Sequence, residues 1–318
     1  MMEAAKVPGL SIVLVKDAQL QWRRGFGVKD SASKEPVDND TIFEAASMSK
    51  PVFAYAVIKL CEKGVMNLDT PLTKYTSERF LKDDPRLDLI TARHVLSHTT
   101  GFQNWREEGD QPLKIHFTPG ERYQYSGEGY SYLQSVVTHL TGQPIEPFMK
   151  ANVLEPFGMA SSGYIWNDTF ETRMARPHDP DGKPTDIKKA TAESVARYAA
   201  AGSLKATPTE YAKFLLEVID PKKGDAFRLN GDSLKEMLRP HVKVPNDQIS
   251  ISWALGWQIF HSDGDDFIAH GGDNEGFHSF TVASVGKKRG FVVMTNGENG
   301  VALLQELMVE VLNPFLAA

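Results

Sequence analysis

Short, largely apolar segments bounded by polar turn residues lie near both ends of the chain, whereas the middle shows the wider spacing typical of helices. Strands are predicted at residues 10–15 and 20–28, and the four polar or small residues between them predict a hairpin turn. Near the C-terminus, strands are predicted at residues 254–260, 267–270, 278–285 and 290–296, followed by an amphipathic helix at 301–312. One sheet assembled from both termini is therefore expected.

The central part of the chain predicts helices separated by loops that contain proline and glycine. The clearest helix follows Ser47, with apolar residues from Val52 to Cys61 at helical spacing and Gly64 as the stop. Further helices are predicted at residues 91–97, 129–140, 145–153 and 207–218, and the polar stretch 166–191 predicts a surface excursion at a pocket rim. The expected fold class is α/β of the α+β type, an antiparallel sheet flanked by helices. A discontinuous α/β domain (1–60 and 205–318) and a mainly helical domain (61–204) would hold the active site between them.

Composition narrows the possible partners. The 318 residues carry 41 acidic and 35 basic side chains, for a net charge of -6, so no basic footprint for nucleic acid or anionic membrane is present. The single cysteine, Cys61, excludes an internal disulfide, and no apolar run approaches the ~20 residues of a membrane span. The start of the chain lacks the pattern of a signal peptide, which leaves either cytoplasmic location or export with a removed leader. The oligomeric state is left open.

Ser47 and Lys50 form the main candidate for chemistry. A serine and a lysine at positions i and i+3 share one face of a helix, and a lysine with a lowered pKa can remove the serine proton. The same spacing recurs at Ser31 with Lys34 and at Ser284 with Lys287, but those pairs lie in polar or turn-like segments. The spacing by itself also leaves open that Ser47 is only a helix cap.

Pro51 supports the Ser47 pair, because proline is tolerated only near the start of a helix. Ser47 is therefore expected at a helix N-terminus, where free N–H groups favour a developing oxyanion. A Gly-x-Ser-x-Gly elbow is absent from the sequence, which argues against an α/β-hydrolase fold.

Several motifs, in this order, resemble those of class C β-lactamases, penicillin-binding carboxypeptidases and family VIII carboxylesterases. They are Val7-Pro8-Gly9, Gly25-Phe26-Gly27, Phe43 to Lys50, Val95 to Gly101, Pro119-Gly120 through Tyr125-Ser126-Gly127, Leu255-Gly256-Trp257 and His270-Gly271-Gly272. The resemblance covers almost the whole chain. It implies the β-lactamase/transpeptidase-like fold.

The resemblance also implies roles for individual residues. Ser47 would form the acyl-enzyme, Lys50 would be its base partner, and Tyr125 would relay the proton and help activate the deacylating water. Periodicity alone does not choose between Tyr123, Tyr125 and Tyr130. The oxyanion hole would use the backbone N–H groups of Ser47 and Asp273, and substrate would lie along His270, Gly271, Gly272 and Gly127.

Two positions depart from the β-lactamase pattern. Gly127 stands where the second motif usually has an asparagine that binds a substrate amide, and His270 stands where the third usually has a lysine that binds a carboxylate. Partial protonation of His270 predicts that acidic substrates bind better as pH falls through about 6.5. Trp105, Trp166 and Trp257 are candidates for an acyl pocket or for the core.

We therefore predict a carboxylesterase that acts on short-chain esters through an acyl-enzyme, with a small-molecule ester or amide as substrate. A D-amino-acid peptidase, an amidase or a weak β-lactamase is the alternative within enzymes. A penicillin-binding or scaffold protein without turnover is the alternative outside them. No metal or organic cofactor is expected, since His94 and His98 at i and i+4 have neither a third ligand nor a nearby glutamate, and His98 is expected to make structural hydrogen bonds.

Overall fold

Strands from both ends of the chain make one large antiparallel sheet, which confirms the predicted fold class. The computed structural model describes residues 1–106, 112–222, 225–262 and 264–317. Within these ranges the strands are β1 (Gly9–Lys16), β2 (Gln19–Gly27), β3 (Phe43–Glu44), β4 (Lys205–Ala206), β5 (Val242–Val244), β6 (Ile251–Trp253), β7 (Gln258–Phe260), β8 (Phe267–Asn274), β9 (Phe277–Ser284) and β10 (Arg289–Thr295). The order across the main sheet is β2-β1-β10-β9-β8-β7-β6-β5, and β3 pairs with β4 separately.

Helices cover both faces of the main sheet. They are α1 (Met2–Ala5), α2 (Ser49–Glu62), α3 (Ala92–Leu96), α4 (Gly127–Thr141), α5 (Ile145–Met149), α6 (Asp168–Arg173), α7 (Ala192–Gly202), α8 (Pro208–Ile219), α9 (Gly231–Leu238), α10 (Gly300–Leu307) and α11 (Asn313–Ala317). Short 3-10 turns occur at Ala46–Met48, Leu72–Lys74 and Pro85–Leu89, and π-helical turns at Lys150–Leu154 and Met308–Leu312.

The two faces of β1 bury different clusters. Val13 and Val15 point into the inner core, which also contains α2 and α8, while Leu10 and Ile12 point to the outer face beneath the C-terminal helices. Because both faces are covered, β1 reads as a nearly continuous apolar run, as the sequence suggested. The division into domains at residues 60 and 205 stays a prediction.

Some elements differ from those predicted. The strand predicted at 254–260 is a strand only at Gln258–Phe260 (β7), because a tight turn at residues 254–257 joins β6 to β7. The Ala254 N–H donates to the Trp257 carbonyl at 2.7 Å, and Gly256 has a φ of +86° that suits glycine. Helix α7 was not predicted, although Thr191 and Ser194 form a capping box at its start.

The C-terminal helical segment lies on the outer face of the sheet. By length and hydropathy, Gly300–Ala317 is long and apolar enough to cross a membrane, which the sequence analysis did not predict. In this structure Leu303, Leu312 and Leu316 are buried against the outer face of the sheet. The absence of a membrane span stays a prediction.

Candidate active site

Ser47 lies in the 3-10 turn Ala46–Met48 that leads into α2. The helix itself begins at Ser49, so Ser47 precedes the helix rather than opening it. Ala46 has a φ of +48°, a left-handed conformation that costs a non-glycine residue roughly 1–3 kcal/mol. The packing around the turn must therefore hold Ser47 in place.

Strand β8 supplies that packing. A Cβ at Gly272 would lie 2.1 Å from the carbonyl oxygen of Ala45, so β8 can approach the turn only with glycine at this position. From β9, the Ser279 hydroxyl donates a 2.9 Å hydrogen bond to the same carbonyl. The sequence suggested that both glycines make room for substrate. Gly272 instead makes room for the protein's own backbone.

Strand β8 lies inside the sheet, but its segment from His270 to Asn274 has a neighbouring strand on one side only, and we call this segment the local edge of β8. Strand β8 is flanked by β9 along its whole length, but β7 pairs only with residues 267–269. Among the described residues, no strand pairs with 270–274 on that side. Asp273, the predicted second donor of the oxyanion hole, lies in this segment, where backbone groups remain available to a substrate.

Lys50 is completely buried and contacts Ser47 directly. Its Nζ lies 3.0 Å from the Ser47 hydroxyl oxygen and donates a 2.6 Å hydrogen bond to the carbonyl of Ala201 at the end of α7. Burial lowers the pKa of Lys50 to about 7, because the charged form loses its hydration. A neutral amine that donates to Ala201 has a lone pair left to accept the Ser47 proton.

Tyr125 approaches the same two groups from the loop before α4. Lys50 Nζ lies 4.8 Å from the centre of its ring, and the phenol contacts the Ser47 hydroxyl. Burial raises the pKa of Tyr125 well above its usual value, and the contact with Ser47 offsets this only in part. Tyr125 is therefore protonated at neutral pH and suited to donate a proton.

Aromatic side chains surround Tyr125 and hold its ring. The His98 imidazole lies 4.1 Å from the Tyr125 ring centre, and the Trp253 indole lies 5.8 Å away, nearly perpendicular to it. His98 Nδ1 accepts the Ser126 N–H at 3.0 Å, which agrees with the expected structural hydrogen bond. His94 instead contacts the Leu89 carbonyl through its own Nδ1, so the two histidines serve separate structures.

His270 is buried at the inner face of β8, 2% exposed. Its Nδ1 lies 2.6 Å from the carbonyl oxygen of Gly271. Burial, with a smaller contribution from Lys50, lowers the pKa of His270 to about 3. The expectation that His270 is partly charged near neutral pH is therefore wrong.

Binding of acidic substrates is consequently expected to show no histidine-dependent gain as pH falls from about 8 to about 5, since His270 stays neutral throughout. Inhibition constants of a dicarboxylic and an isosteric neutral competitor, measured across this range, check this. Lys50, with a pKa of about 7, gains a charge within this range, so any change in the ratio of the two constants should be the same in the wild type and in His270→Gln. A ratio that rises in favour of the acid, and no longer does so in His270→Gln, would contradict the assignment.

Gly127 begins α4 beside Trp105. The Gly127 N–H donates to the Asn104 side-chain carbonyl at 2.9 Å, and a Cβ at Gly127 would lie 2.3 Å from the Trp105 ring. Trp105 also packs edge-on against Tyr198 of α7, with ring centres 5.6 Å apart. An indole therefore occupies the space that an asparagine side chain at position 127 would need.

The sequence missed two contributors to the site, Ala201 and Trp253, and gave Tyr130 no role there. Ala201 acts through its carbonyl oxygen, so its side chain carries no signal. Tyr130 places its ring centre 5.5 Å from Lys50 Nζ, and Trp253 packs against both His270 and Tyr125. Capping of α7 could have suggested a helix, but not that its end meets Lys50.

The beta-lactamase family model matches residues 1–310 of the chain. Esterase EstB of Burkholderia gladioli is 29% identical over 211 residues, covering 58% of this chain and 53% of that protein. Protein flp of Staphylococcus aureus (strain MRSA252) is 22% identical over 335 aligned residues, covering 98% of this chain and 64% of that protein. The chain thus spans between about half and two thirds of the length of these relatives.

Two solved structures share the fold. The octameric penicillin-binding protein homologue from Pyrococcus abyssi superposes with a TM-score of 0.80 at 24% identity, covering 96% of this chain and 75% of that one. The beta-lactamase/D-alanine carboxypeptidase from Pseudomonas syringae gives a TM-score of 0.81 at 18% identity, covering 98% and 96%. At these identities the likeness concerns the fold alone.

Proposed function

Because this chain belongs to the beta-lactamase family, we propose that it is a serine hydrolase that cleaves carboxylic esters through an acyl-enzyme on Ser47. One observation carries the proposal: a fully buried lysine with a pKa of about 7 lies 3.0 Å from the Ser47 hydroxyl oxygen. No carboxylate among the described residues pairs with this lysine, and a purely structural lysine would gain nothing from burial beside a half-buried serine.

Acylation begins with proton transfer from Ser47 to Lys50. The neutral amine accepts the hydroxyl proton while the serine oxygen attacks the ester carbonyl carbon. Negative charge then develops on the former carbonyl oxygen, and the N–H groups of Ser47 and Asp273 are the proposed donors to it. The carbonyl of Ala201 holds the amine in position, since Nζ donates to it at 2.6 Å.

Tyr125 is the proposed acid for the leaving alcohol. When the ester C–O bond breaks, the departing oxygen takes the phenol proton, and the Lys50 ammonium returns a proton to Tyr125. The acyl group stays on Ser47. Water then attacks the acyl carbon and passes its proton through the same pair, which regenerates the Ser47 hydroxyl and releases the acid.

Gly127, Trp105 and His270 support an ester substrate over a β-lactam. Gly127 has no side-chain amide to bind the acylamino group of a β-lactam, and the Trp105 ring fills the space beside it. His270 is neutral at the position where a cation would attract the carboxylate of such an antibiotic. The name of esterase EstB, a relative at 29% identity, is consistent with this preference.

Turnover of matched chromogenic substrates tests the proposal. We expect kcat/KM for a short-chain nitrophenyl ester to exceed that for a chromogenic cephalosporin by at least about tenfold, the equivalent of one missing hydrogen bond to a charged or polar group. Ser47→Ala serves as the blank for both substrates. A higher kcat/KM for the cephalosporin, or for a D-alanyl peptide assayed in parallel, would replace esterase by one of the alternative activities.

A further inference from the structure

A large apolar groove lies on the outer face of the sheet, separate from the buried core of the site. Its volume is about 1110 Å³. Phe267 of β8 and Phe280 of β9 form its floor, and Leu304 and Val309 of the C-terminal helical segment form one wall. Ile249, in the loop before β6, borders the opposite side and is 51% exposed.

The groove ends at the strand segment that the mechanism uses. Residues Gly271, Gly272 and Asp273 border it, and they belong to the part of β8 that β7 leaves unpaired. Asp273 lies six positions after Phe267 along the strand, a rise of about 20 Å. A substrate alkyl chain that extends from Ser47 across the local edge of β8 would therefore enter a groove about 20 Å long.

Gly271 lies where a substrate would cross from the inner to the outer face of β8. Its backbone is exposed, and a Cβ at this position would meet nothing closer than the Phe280 ring at 3.6 Å. His270 and Gly272 point to the inner face toward Lys50 and Ser47, whereas Gly271 and Asp273 point to the groove. A substrate lying across this edge can thus contact both faces.

We infer that the groove binds the apolar alcohol portion of the ester substrate, an inference that rests on the proposed function. Tyr125, the proposed donor to the leaving oxygen, lies beside His270, with ring centres 6.4 Å apart. The next residue, Gly271, borders the groove on the outer face, and the groove follows β8 from there toward Phe267. Starting from Ser47, the proposed position of the leaving oxygen and the groove therefore both lie toward the Phe267 end of β8.

The other end of the unpaired part of β8, near Asn274, offers a more polar environment for the acyl portion of the substrate. Beyond Asn274 lies a smaller cavity of about 440 Å³, bordered by Gly202 and by the charged residues Glu44 and Lys205. Lys205 is buried, 2% exposed, and its Nζ lies 3.6 Å from the Glu44 carboxylate. An alkyl chain placed there would displace water from charged groups, which disfavours long acyl chains.

Esters that are constitutional isomers test the alcohol side and the acyl side of the substrate separately, because each pair has the same number of carbon atoms. Butyl, hexyl and octyl acetate are compared with methyl pentanoate, heptanoate and nonanoate, with hydrolysis followed by pH-stat titration. In the acetate series, each added methylene group is expected to raise kcat/KM by about two- to fourfold, the effect of burying one CH₂. In the methyl ester series kcat/KM should change little.

Two valines on the same helical turn provide a matched pair of variants. Val309 borders the groove and is 66% exposed, whereas Val311 is 44% exposed and is not among the described residues that border it. Val309→Asp should reduce the preference for octyl over butyl acetate by at least about fivefold, and Val311→Asp should leave it unchanged. Ile249→Asp, in a surface loop, tests the opposite wall if Val309→Asp folds poorly.

Three results would overturn the inference: equal slopes in the two series, a steeper slope for the methyl esters, or the same response in both valine variants. A dimer that Val309→Asp dissociates while the chain-length slopes stay unchanged would place a second copy of the chain on the groove instead. If the proposed esterase function is itself wrong, the result differs from these outcomes. In that case neither series is hydrolysed, and a fluorophosphonate probe leaves Ser47 unlabelled.

Discussion

Replacing Ser47 with alanine is expected to lower kcat for ester hydrolysis by about 10⁵- to 10⁶-fold, the loss seen when a serine hydrolase loses its nucleophile. Without the hydroxyl no acyl-enzyme forms, and Lys50 has no serine proton to accept. The remaining rate reflects substrate binding and backbone donors alone. Steady-state kinetics with a nitrophenyl ester measure the loss, and a fluorophosphonate probe followed by peptide mass mapping locates the label.

Ser31→Ala is the matched control, because Ser31 begins another serine-lysine pair with the same spacing. Its hydroxyl donates to the Gly182 carbonyl at 3.0 Å, so its loss affects a surface loop. We expect wild-type kcat and full labelling for this variant. A label on any serine other than Ser47, or Ser47→Ala activity within about tenfold of wild type, would refute the mechanism.

Replacing Lys50 with methionine is expected to lower kcat/KM by about 10²- to 10⁴-fold, the typical contribution of a general base. In the wild type the neutral amine is the active form. Its fraction grows as pH rises through the Lys50 pKa of about 7, so kcat/KM should increase from pH 5 and level off above about 8. Lys50→Met should lose this rise together with the activity.

Lys34→Met is the control, since Lys34 belongs to the exposed pair that begins at Ser31. It should retain both the wild-type rate and the rise with pH. A pH profile measured with a neutral ester between pH 5 and 9 distinguishes the cases. A wild-type profile that is flat through pH 7, or a rise that persists in Lys50→Met, would show that Lys50 is not the base.

The sequence predicted the elements whose formation depends on residues close together in the chain. The hairpin β1–β2, helix α2 and the strands β8 to β10 follow from alternation, spacing and turn residues that act within a few positions. The strand prediction at 254–260 included the Ala254–Trp257 turn and missed β6, because that turn is itself apolar and buried. Burial there comes from tertiary packing, which overrides the usual polarity of turns.

The charge states in the site could not be read from the sequence. The lowered pKa values of Lys50 and His270 both follow from complete burial, and that burial depends on helices and strands distant in the chain. The Ser47–Lys50 contact was predictable from spacing, but the Ala201 carbonyl that holds the amine comes from 151 positions away. Likewise, the sequence showed that Gly127 lacks the usual asparagine side chain, but not that the Trp105 ring fills the space beside it.

Burying Lys50 also links the stability of the protein to pH. The unfolded chain would carry this lysine with an ordinary pKa near 10.4, whereas in the folded protein its pKa is about 7. Between these values unfolding takes up a proton, so the contribution of Lys50 to the free energy of unfolding rises as the solution becomes more alkaline. Below about pH 7 the folded state instead keeps a charged amine away from water. The side chain proposed to activate Ser47 therefore makes the folded protein less stable than an apolar residue of similar shape would, and most of all in acid.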